Sequence, residues 1–401
     1  MAEKTTNVAA IRDAMPAVTR HVYLNTGTCG PLPRPVEETM RAIAEAELDD
    51  GRIVPERYLI NSDLKRQARE EVAALLGCSP DNIALTRHTT DGINIGVLGI
   101  NWHPGDEIIT TDMEHPGGQA PLFTVARRYG VTIRTARLGD GGGDVVGAIA
   151  RLITPRTRLI MLSHLTWNTG AILPIREVTE LAHQHGILVV VDGAQSAGSI
   201  PVNVTELGVD VYAIPGQKWL CGPEGTGAVY IADNALDILQ LTVAGYSSLA
   251  MPHGIEPIGG YLLPKATAER FEVGGMNMPA IAGQAASIRW IRTTVGFPWA
   301  FERIQQLGDY AWQSLSELDG VHVITPRHCM AGLVCFTVDG CDPAALVQAL
   351  WQEANVIVRF ISHPYCIRLS AGFYNTEEDI DQLIDAIRRL RKHCSPSTAH
   401  A

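Results

Sequence analysis

Lys218 and Asp192 are the residues of this chain whose surroundings point most directly to chemistry. The run Tyr212-Ala213-Ile214-Pro215-Gly216-Gln217-Lys218-Trp219 closes an apolar stretch and is followed by Gly222-Pro223-Glu224-Gly225-Thr226-Gly227. Upstream, Asp192 ends the apolar run Ile187-Leu188-Val189-Val190-Val191 and leads into Gly193-Ala194-Gln195-Ser196. A lysine and an acid at the ends of two buried strands suit pyridoxal phosphate. The amine can form a Schiff base, while the carboxylate holds the pyridine nitrogen protonated so that the ring accepts electrons.

Other residues can be assembled around this pair. Thr89 and Thr90, in Arg87-His88-Thr89-Thr90-Asp91, fall between a strand and a helix containing Asn94. Hydroxyls and N–H groups at a helix N-terminus form an anion site suited to a phosphate. Taken alone, the same residues are an ordinary helix cap. His115 follows another strand, where an imidazole can stack on a pyridine ring and relay protons, although His-Pro is equally a plain loop sequence. Thr166 and Asn168, within Ser163–Gly170, can reach the cofactor oxygen or the substrate, or simply satisfy a turn. Gln195 is placed to hydrogen-bond the cofactor's phenolic oxygen. Arg359 and Arg368, each at the end of or within a strand, are of the kind that grips a carboxylate bidentately, the alternative being surface ion pairs.

The elements that must position these residues are legible as alternating patterns. Helical stretches Leu64–Leu76 and Asp91–Ile100 are interleaved with strands near Asn82–Thr86, Glu107–Thr111, Val131–Arg137, Leu159–Ser163, Ile187–Val191, Val211–Pro215 and Ala228–Ile231. Near-continuous apolar strands alternating with helices predict an α/β fold, a mostly parallel cofactor-binding sheet flanked by helices. Ligands of such sheets sit beyond the carboxyl ends of the strands. Strands near Val321–Thr325, Gly332–Val338, Asn355–Arg359 and Cys366–Ser370, with a helix over Thr376–Lys392, predict a smaller C-terminal α+β domain. The division expected is an N-terminal arm over 1–20, a large domain over 21–285, a small domain over 286–395 and a flexible tail over 396–401. Gly245–Lys265, rich in Gly and Pro, reads as a long loop of the kind that is often functional.

Composition limits the alternatives. The 401 residues and 46% hydrophobic content support sizeable cores, and a net charge of -11 disfavours a nucleic-acid or anionic-membrane surface. No apolar run approaches the roughly 20 residues of a bilayer span, and Met1–Thr6 lacks the apolar core of a signal peptide, so a cytoplasmic chain is expected. The eight cysteines are scattered with no CxxC pair, which indicates neither a metal site nor a disulfide framework.

Together these motifs resemble the class V aminotransferase family of fold-type I pyridoxal-phosphate enzymes, from Tyr23-Leu24-Asn25-Thr26-Gly27 to Tyr374-Asn375-Thr376-Glu377-Glu378. That family includes cysteine desulfurases, isopenicillin N epimerase-like proteins and cysteine/cystine C–S lyases. Trp167-Asn168-Thr169-Gly170, Lys218-Trp219 and the Arg359/Arg368 pair look closest to the C–S lyases. The resemblance implies that Lys218 carries the cofactor, Asp192 pairs with its ring nitrogen and His115 stacks on the ring. It further implies that Gln195 contacts the phenolic oxygen, Thr89 and Thr90 hold the phosphate, and Gln217 stands at the cofactor site. Arg368 would bind the α-carboxylate, with Arg359 assisting or taking a second carboxylate, and Asn25, Thr26 and Gly27 would close over an amino-acid substrate. A homodimer is implied as well.

This chain departs from the family pattern at three positions. Gln217 replaces the usual His before the lysine, Pro215 replaces Ser or Thr, and Gly275 replaces the Thr that reaches a partner's phosphate, which implies weakened or replaced phosphate contacts. The stretch Phe360–Cys366 is too short for a desulfurase's mobile cysteine loop, and alternation places Cys366 on the face of Arg368. The function expected is therefore β-elimination from cystine or a cysteine S-conjugate. Desulfuration, transamination, epimerisation and decarboxylating deamination remain alternatives, with a non-catalytic scaffold beside them.

Overall fold

The computed structural model describes residues 7–250, 255–256 and 260–391. The chain opens with two short helices, α1 (Val8–Asp13) and α2 (Pro16–Arg20), then a two-residue strand β1 (Val22–Tyr23). Two long helices follow, α3 (Arg34–Asp50) and α4 (Pro55–Leu76), each with proline in its first turn, where no intrahelical N–H is lost. Gly77, with φ +71, ends α4 in the left-handed conformation that a side chain would resist.

Seven strands form the main sheet: β2 (Ile83–Thr86), β3 (Glu107–Thr111), β4 (Thr132–Ala136), β5 (Thr157–Ser163), β6 (Leu188–Asp192), β7 (Val211–Pro215) and β8 (Gly227–Ile231). Their order is β2-β8-β7-β6-β5-β3-β4, and β8 alone runs against its neighbours. The apolar runs of β5, β6 and β7 are buried on both faces, one packing with the cluster of Val189, Val191 and Tyr212, the other with Val190, Val211 and Ala213. That double burial is why these strands show no polar alternation. The fold is thus the α/β arrangement the sequence predicts.

Within the stretch Gly245–Lys265, β9 (Ile255–Glu256) and β10 (Tyr261–Leu262) pair as an antiparallel hairpin, so the segment is not wholly irregular. The C-terminal antiparallel sheet contains β11 (Val321–Val323), β12 (Leu333–Val338), β14 (Arg359–Ile361) and β15 (Cys366–Ser370), in the order β11-β12-β15-β14. The single strand expected over Asn355–Arg359 is two. β13 (Val356–Ile357) pairs in parallel with β1, whereas β14 pairs with β15. The chain changes sheets at Val358, a break that apolar content does not reveal. The closing helix, Glu377–Leu390, begins with a reciprocal cap between Thr376 and Asp379, as its opening sequence predicts. The tail over 396–401 and Cys394 lie outside the described residues.

The N-terminal segment is threaded through both layers. Ile11, Met15 and Val18 are buried in one cluster with Trp219, Phe373 and Tyr374. Thr26 N–H donates to the Ser370 carbonyl at 3.2 Å, and Ser370 N–H donates to Leu24 at 2.7 Å. Among the described residues no helix is long and apolar enough to cross a membrane, and no cluster of His, Cys, Asp or Glu could hold a metal.

Candidate active site

The carboxyl ends of β3, β5, β6 and β7 deliver Glu114, Ser163, Asp192 and Lys218 to one edge of the main sheet, and β14 and β15 bring two arginines from the small sheet to meet them. Between them lies a cavity of about 220 Å³. Its walls include Gly27, Thr89, Thr90, His115, Asp192, Gln195, Gln217, Lys218, Arg359 and Arg368, all expected from sequence.

Lys218 is half-buried, and the desolvation of its amine lowers it to about 8; Asp192 opposes that shift while Arg368 and Arg359 add to it. Asp192 is only 6% exposed. Its Oδ1 accepts the Ala194 N–H at 2.9 Å, and among the described residues no side chain donates to it. Burial raises its proton affinity, with Lys218 acting in the other direction. His115 caps the helix α6 (Pro116–Tyr129) by accepting the Gly117 N–H at Nδ1, 3.0 Å away. Its ring stands edge-on to Trp167, centroids 5.0 Å apart. Burial brings the His115 imidazole down to about 4, helped by Lys218, Arg359 and Arg368.

Gln195 is held from two sides: its Nε2 donates to the Gly27 carbonyl at 2.8 Å and its Oε1 accepts from Trp219 Nε1 at 2.9 Å. One N–H of the Nε2 amide remains beyond that bond. Gly27 must be glycine for this approach, since a methyl there would stand 2.8 Å from Gln195 Oε1 and from Ser370 Oγ. Thr89 and Thr90 open the helix α5 (Thr89–Leu98), whose N-terminus borders the cavity.

Four expected residues are elsewhere. Thr26 is fully buried, donating to the Ser370 carbonyl and bonded to Tyr374 Oη. Asn25 accepts from Thr28 Oγ1. Thr166 is bonded to Thr169 and accepts the Ala171 N–H, and Asn168 Nδ2 donates to the His363 carbonyl. These four are not among the residues lining the cavity; they brace the loops around it, and Asn168 Oδ1 is buried without a hydrogen-bond partner. Cys366 shares the face of Arg368, as alternation predicts, but it is fully buried beside Cys335 and does not line the cleft. Among the described residues six cysteines are free thiols, while Cys341 is disulfide-bonded, where the scattered spacing indicated no disulfide framework.

Sequence reasoning missed Thr28, His88 and Glu114. Thr28 accepts from Arg359 at 3.1 Å and from Arg368 at 2.9 Å. His88, beside Thr89, lines both this cavity and a neighbouring one of about 850 Å³. Glu114 lies under the cavity wall, its carboxyl raised to about 7 by burial, with the Ser163 and Thr111 hydroxyls opposing and Asp192 adding. Its position directly before His115 was the one available signal.

The site fits pyridoxal phosphate on its own features. Gln217 Oε1, Trp167 Nε1 and Arg368 Nε are buried polar atoms without a hydrogen-bond partner, the pattern of a cavity shaped for a polar occupant. Asp192 leaves its carboxylate open to the space that Lys218 enters, and the first turn of α5 offers N–H groups to an anion.

Comparison with known proteins agrees. The chain is 32% identical over 391 residues to isopenicillin N epimerase of Streptomyces clavuligerus, covering 92% of this chain and 94% of that protein. It is 28% identical to a probable cysteine desulfurase of Methanothermobacter thermautotrophicus, over 95% and 97% of the two chains. Among solved structures, the cystine C–S lyase C-DES in complex with its reaction product cysteine persulfide matches with a TM-score of 0.88 and 33% identity, covering 95% of this chain and 100% of that one. A cysteine desulfurase of Thermococcus onnurineus NA1 also reaches 0.88, at 26% identity over 98% and 100%. The family described as Aminotransferase class-V matches residues 23–383. With that match spanning nearly the whole chain, and a cavity built to receive the family's cofactor, the protein belongs to the class-V aminotransferase family of pyridoxal-phosphate enzymes.

Proposed function

We propose that the protein is a carbon–sulfur lyase acting on cystine or a cysteine S-conjugate by β-elimination. The observation that carries this reading is the connection between β14 and β15. Ile361 and Cys366 are Cα partners, so only Ser362–Tyr365 joins the strands, and Cys366 is buried. No cysteine lines the cavity among the described residues. Sulfur leaving the substrate therefore finds no thiol in the cavity wall and departs as a thiol or persulfide.

The residues divide the work as follows. Arg368, with Arg359 beside it, binds the substrate α-carboxylate. Lys218, lowered to about 8, takes the α-proton as general base near neutral pH. Pyridoxal phosphate, when bound, supplies an electron-accepting ring that makes that proton acidic. Asp192 holds the ring nitrogen's proton, Thr89 and Thr90 hold the phosphate, and the Gln195 amide donates to the phenolic oxygen. His115 offers its ring to the cofactor and, neutral, can accept or return a proton. The C–S bond breaks with its electron pair going to sulfur, and water converts the remaining fragment to pyruvate and ammonia. Likeness to the C–S lyase supports this reading.

A second reading, cysteine desulfurase, draws on Cys29, a half-buried thiol near Lys218 whose proton is held more tightly through burial and Glu224. Products separate the two readings. Incubation with L-cystine should give equimolar pyruvate and ammonia, retained after thiol alkylation; alanine with a protein-bound persulfide on incubation with L-cysteine would replace this proposal with desulfuration.

The proposal includes a homodimer. The neighbouring cavity, lined by Val243, Phe271, Val273 and Met276, opens beside His88, leaving an apolar surface for a second copy. Sedimentation equilibrium checks this, a monomeric mass being the adverse result.

A further inference from the structure

Glu114 has no part in the chemistry described above, yet it is a buried acid with three donors. Its Oε1 accepts from Thr111 Oγ1 at 2.6 Å and from the Ser163 N–H at 3.1 Å, and its Oε2 accepts from Ser163 Oγ at 2.6 Å. Ser163 closes β5 and lines the cavity, and its Cα partner across the parallel ladder is Asp192. Residues so paired point to the same sheet face, one strand spacing of ~4.8 Å apart. The Ser163 hydroxyl is thus the nearest side-chain donor on the neighbouring strand that could turn onto the Asp192 carboxylate.

It is prevented from doing so. Ionised, as it is above about pH 7, Glu114 only accepts, so the Ser163 O–H is committed to it and what it presents to the cavity is a lone pair. Asp192 then keeps its carboxylate free except for the Ala194 N–H. We propose that Glu114 is a positioning residue: by holding the Ser163 hydroxyl away from Asp192, it reserves that carboxylate for the cofactor's ring nitrogen. This inference rests on the proposed role of Asp192 but not on which amino acid is the substrate.

The geometry of a Gln at this position follows from the same bonds. Two donors converge on Oε1, so the amide oxygen of Glu114→Gln takes that place and its NH₂ faces Ser163 Oγ. The serine oxygen then accepts, and its own hydrogen must turn elsewhere, toward Asp192. A carboxylate already accepting a hydroxyl holds a ring N–H⁺ less strongly.

The test is the nitrogen-15 resonance of ring-labelled pyridoxal phosphate in the holoenzyme, recorded above about pH 7 so that Glu114 is ionised. Wild type should show a protonated ring nitrogen. Glu114→Gln should move it toward the unprotonated position and lower kcat about tenfold with little change in KM. Adding Ser163→Ala to that variant removes the misdirected hydroxyl and should restore the wild-type resonance, a rescue that a merely structural role cannot produce. Should Glu114→Gln fail to fold, Glu114→Asp withdraws the carboxylate from Ser163 while keeping its charge, and the same displacement is expected. A protonated nitrogen unchanged in the Gln or Asp variant, or a double variant without recovery, overturns the proposal. An unprotonated nitrogen in the wild type would instead overturn the role given to Asp192.

Discussion

Arg359 and Arg368 are Cα partners across β14 and β15, and both guanidinium groups donate to one oxygen, Thr28 Oγ1, at 3.1 and 2.9 Å. Two cations converging on a neutral hydroxyl repel each other. Arg368 is lowered to about 10, chiefly by burial, with Arg359 adding to that shift and Cys335 opposing it. An arriving carboxylate relieves that repulsion, which makes the pair an anion site of high selectivity. Arg368→Lys keeps the charge but loses the planar fork, and kcat/KM for cystine should fall roughly 100-fold, or about 2.7 kcal/mol, mostly through KM. Arg359→Lys should cost about tenfold, since Arg359 is only partly buried. Steady-state pyruvate formation measures both, and an unchanged KM in Arg368→Lys would remove it from substrate binding.

Lys218 should react with added cofactor as a neutral amine. Its value of about 8 means that the protonated form dominates below that pH, so the rate of holoenzyme formation should climb with pH and level off above about 8. Lys218→Ala should abolish turnover, and borohydride should no longer fix the cofactor to the chain. The same depression has a consequence for stability. Between about 8 and the ordinary lysine range, the unfolded chain binds more protons at this site than the folded one, so the apo protein should gain stability from this group as pH rises there. Thermal melts of the apo protein and of Lys218→Met across that window isolate the contribution.

His115, brought down to about 4, is neutral throughout the neutral range and acquires charge only in acid. The pH–rate profile should therefore show no limb from this imidazole between pH 5 and pH 8. His115→Phe retains an aromatic face and loses both nitrogens. Cofactor binding should survive while kcat falls roughly 100-fold, the size expected for one lost proton-transfer group. An unchanged kcat in this variant would make stacking, rather than proton transfer, the residue's main task.

Thiols should be dispensable. Cys29→Ser and Cys366→Ser are each expected to leave pyruvate formation within about twofold, as burial raises the Cys29 thiol and encloses Cys366. Loss of turnover in Cys29→Ser alone would favour desulfuration.

What the sequence discloses and what it withholds follow from one distinction. Asp192 and Lys218 stand where long apolar runs stop, and a run of β-branched residues buried on both faces is a signal carried by many positions at once. Thr28 and Glu114 are single residues in turns with no period to amplify them. Their importance comes from partners far along the chain, 331 and 340 residues away for Thr28. Thr26, Thr166 and Asn168 are harder to place from sequence for the complementary reason: a polar residue near a motif is as suited to bracing a loop as to touching a ligand, and here Thr26 and Thr166 bond to neighbouring backbone while Asn168 donates to the His363 carbonyl. The split of Asn355–Arg359 was hidden because Val356-Ile357-Val358 runs without a polar break, while its parts differ in the strand they meet.

The N-terminal thread has a consequence for the order of assembly. Thr26 bonds to Ser370 across 344 residues, and the Gly30 N–H donates to the Gln217 carbonyl at 2.7 Å, where a methyl on Gly30 would stand 2.2 Å from the Lys218 carbonyl. The segment around Thr26 is synthesised long before its partners and is therefore among the last to find its place. The main sheet can pair while synthesis continues, but the wall carrying Gly27 and Thr28 has no strand to dock on until β15 emerges, and such distant pairings form slowly. A growing chain carries its lysine long before it has a pocket, and the pocket closes only when the segment around Gly27 meets β15.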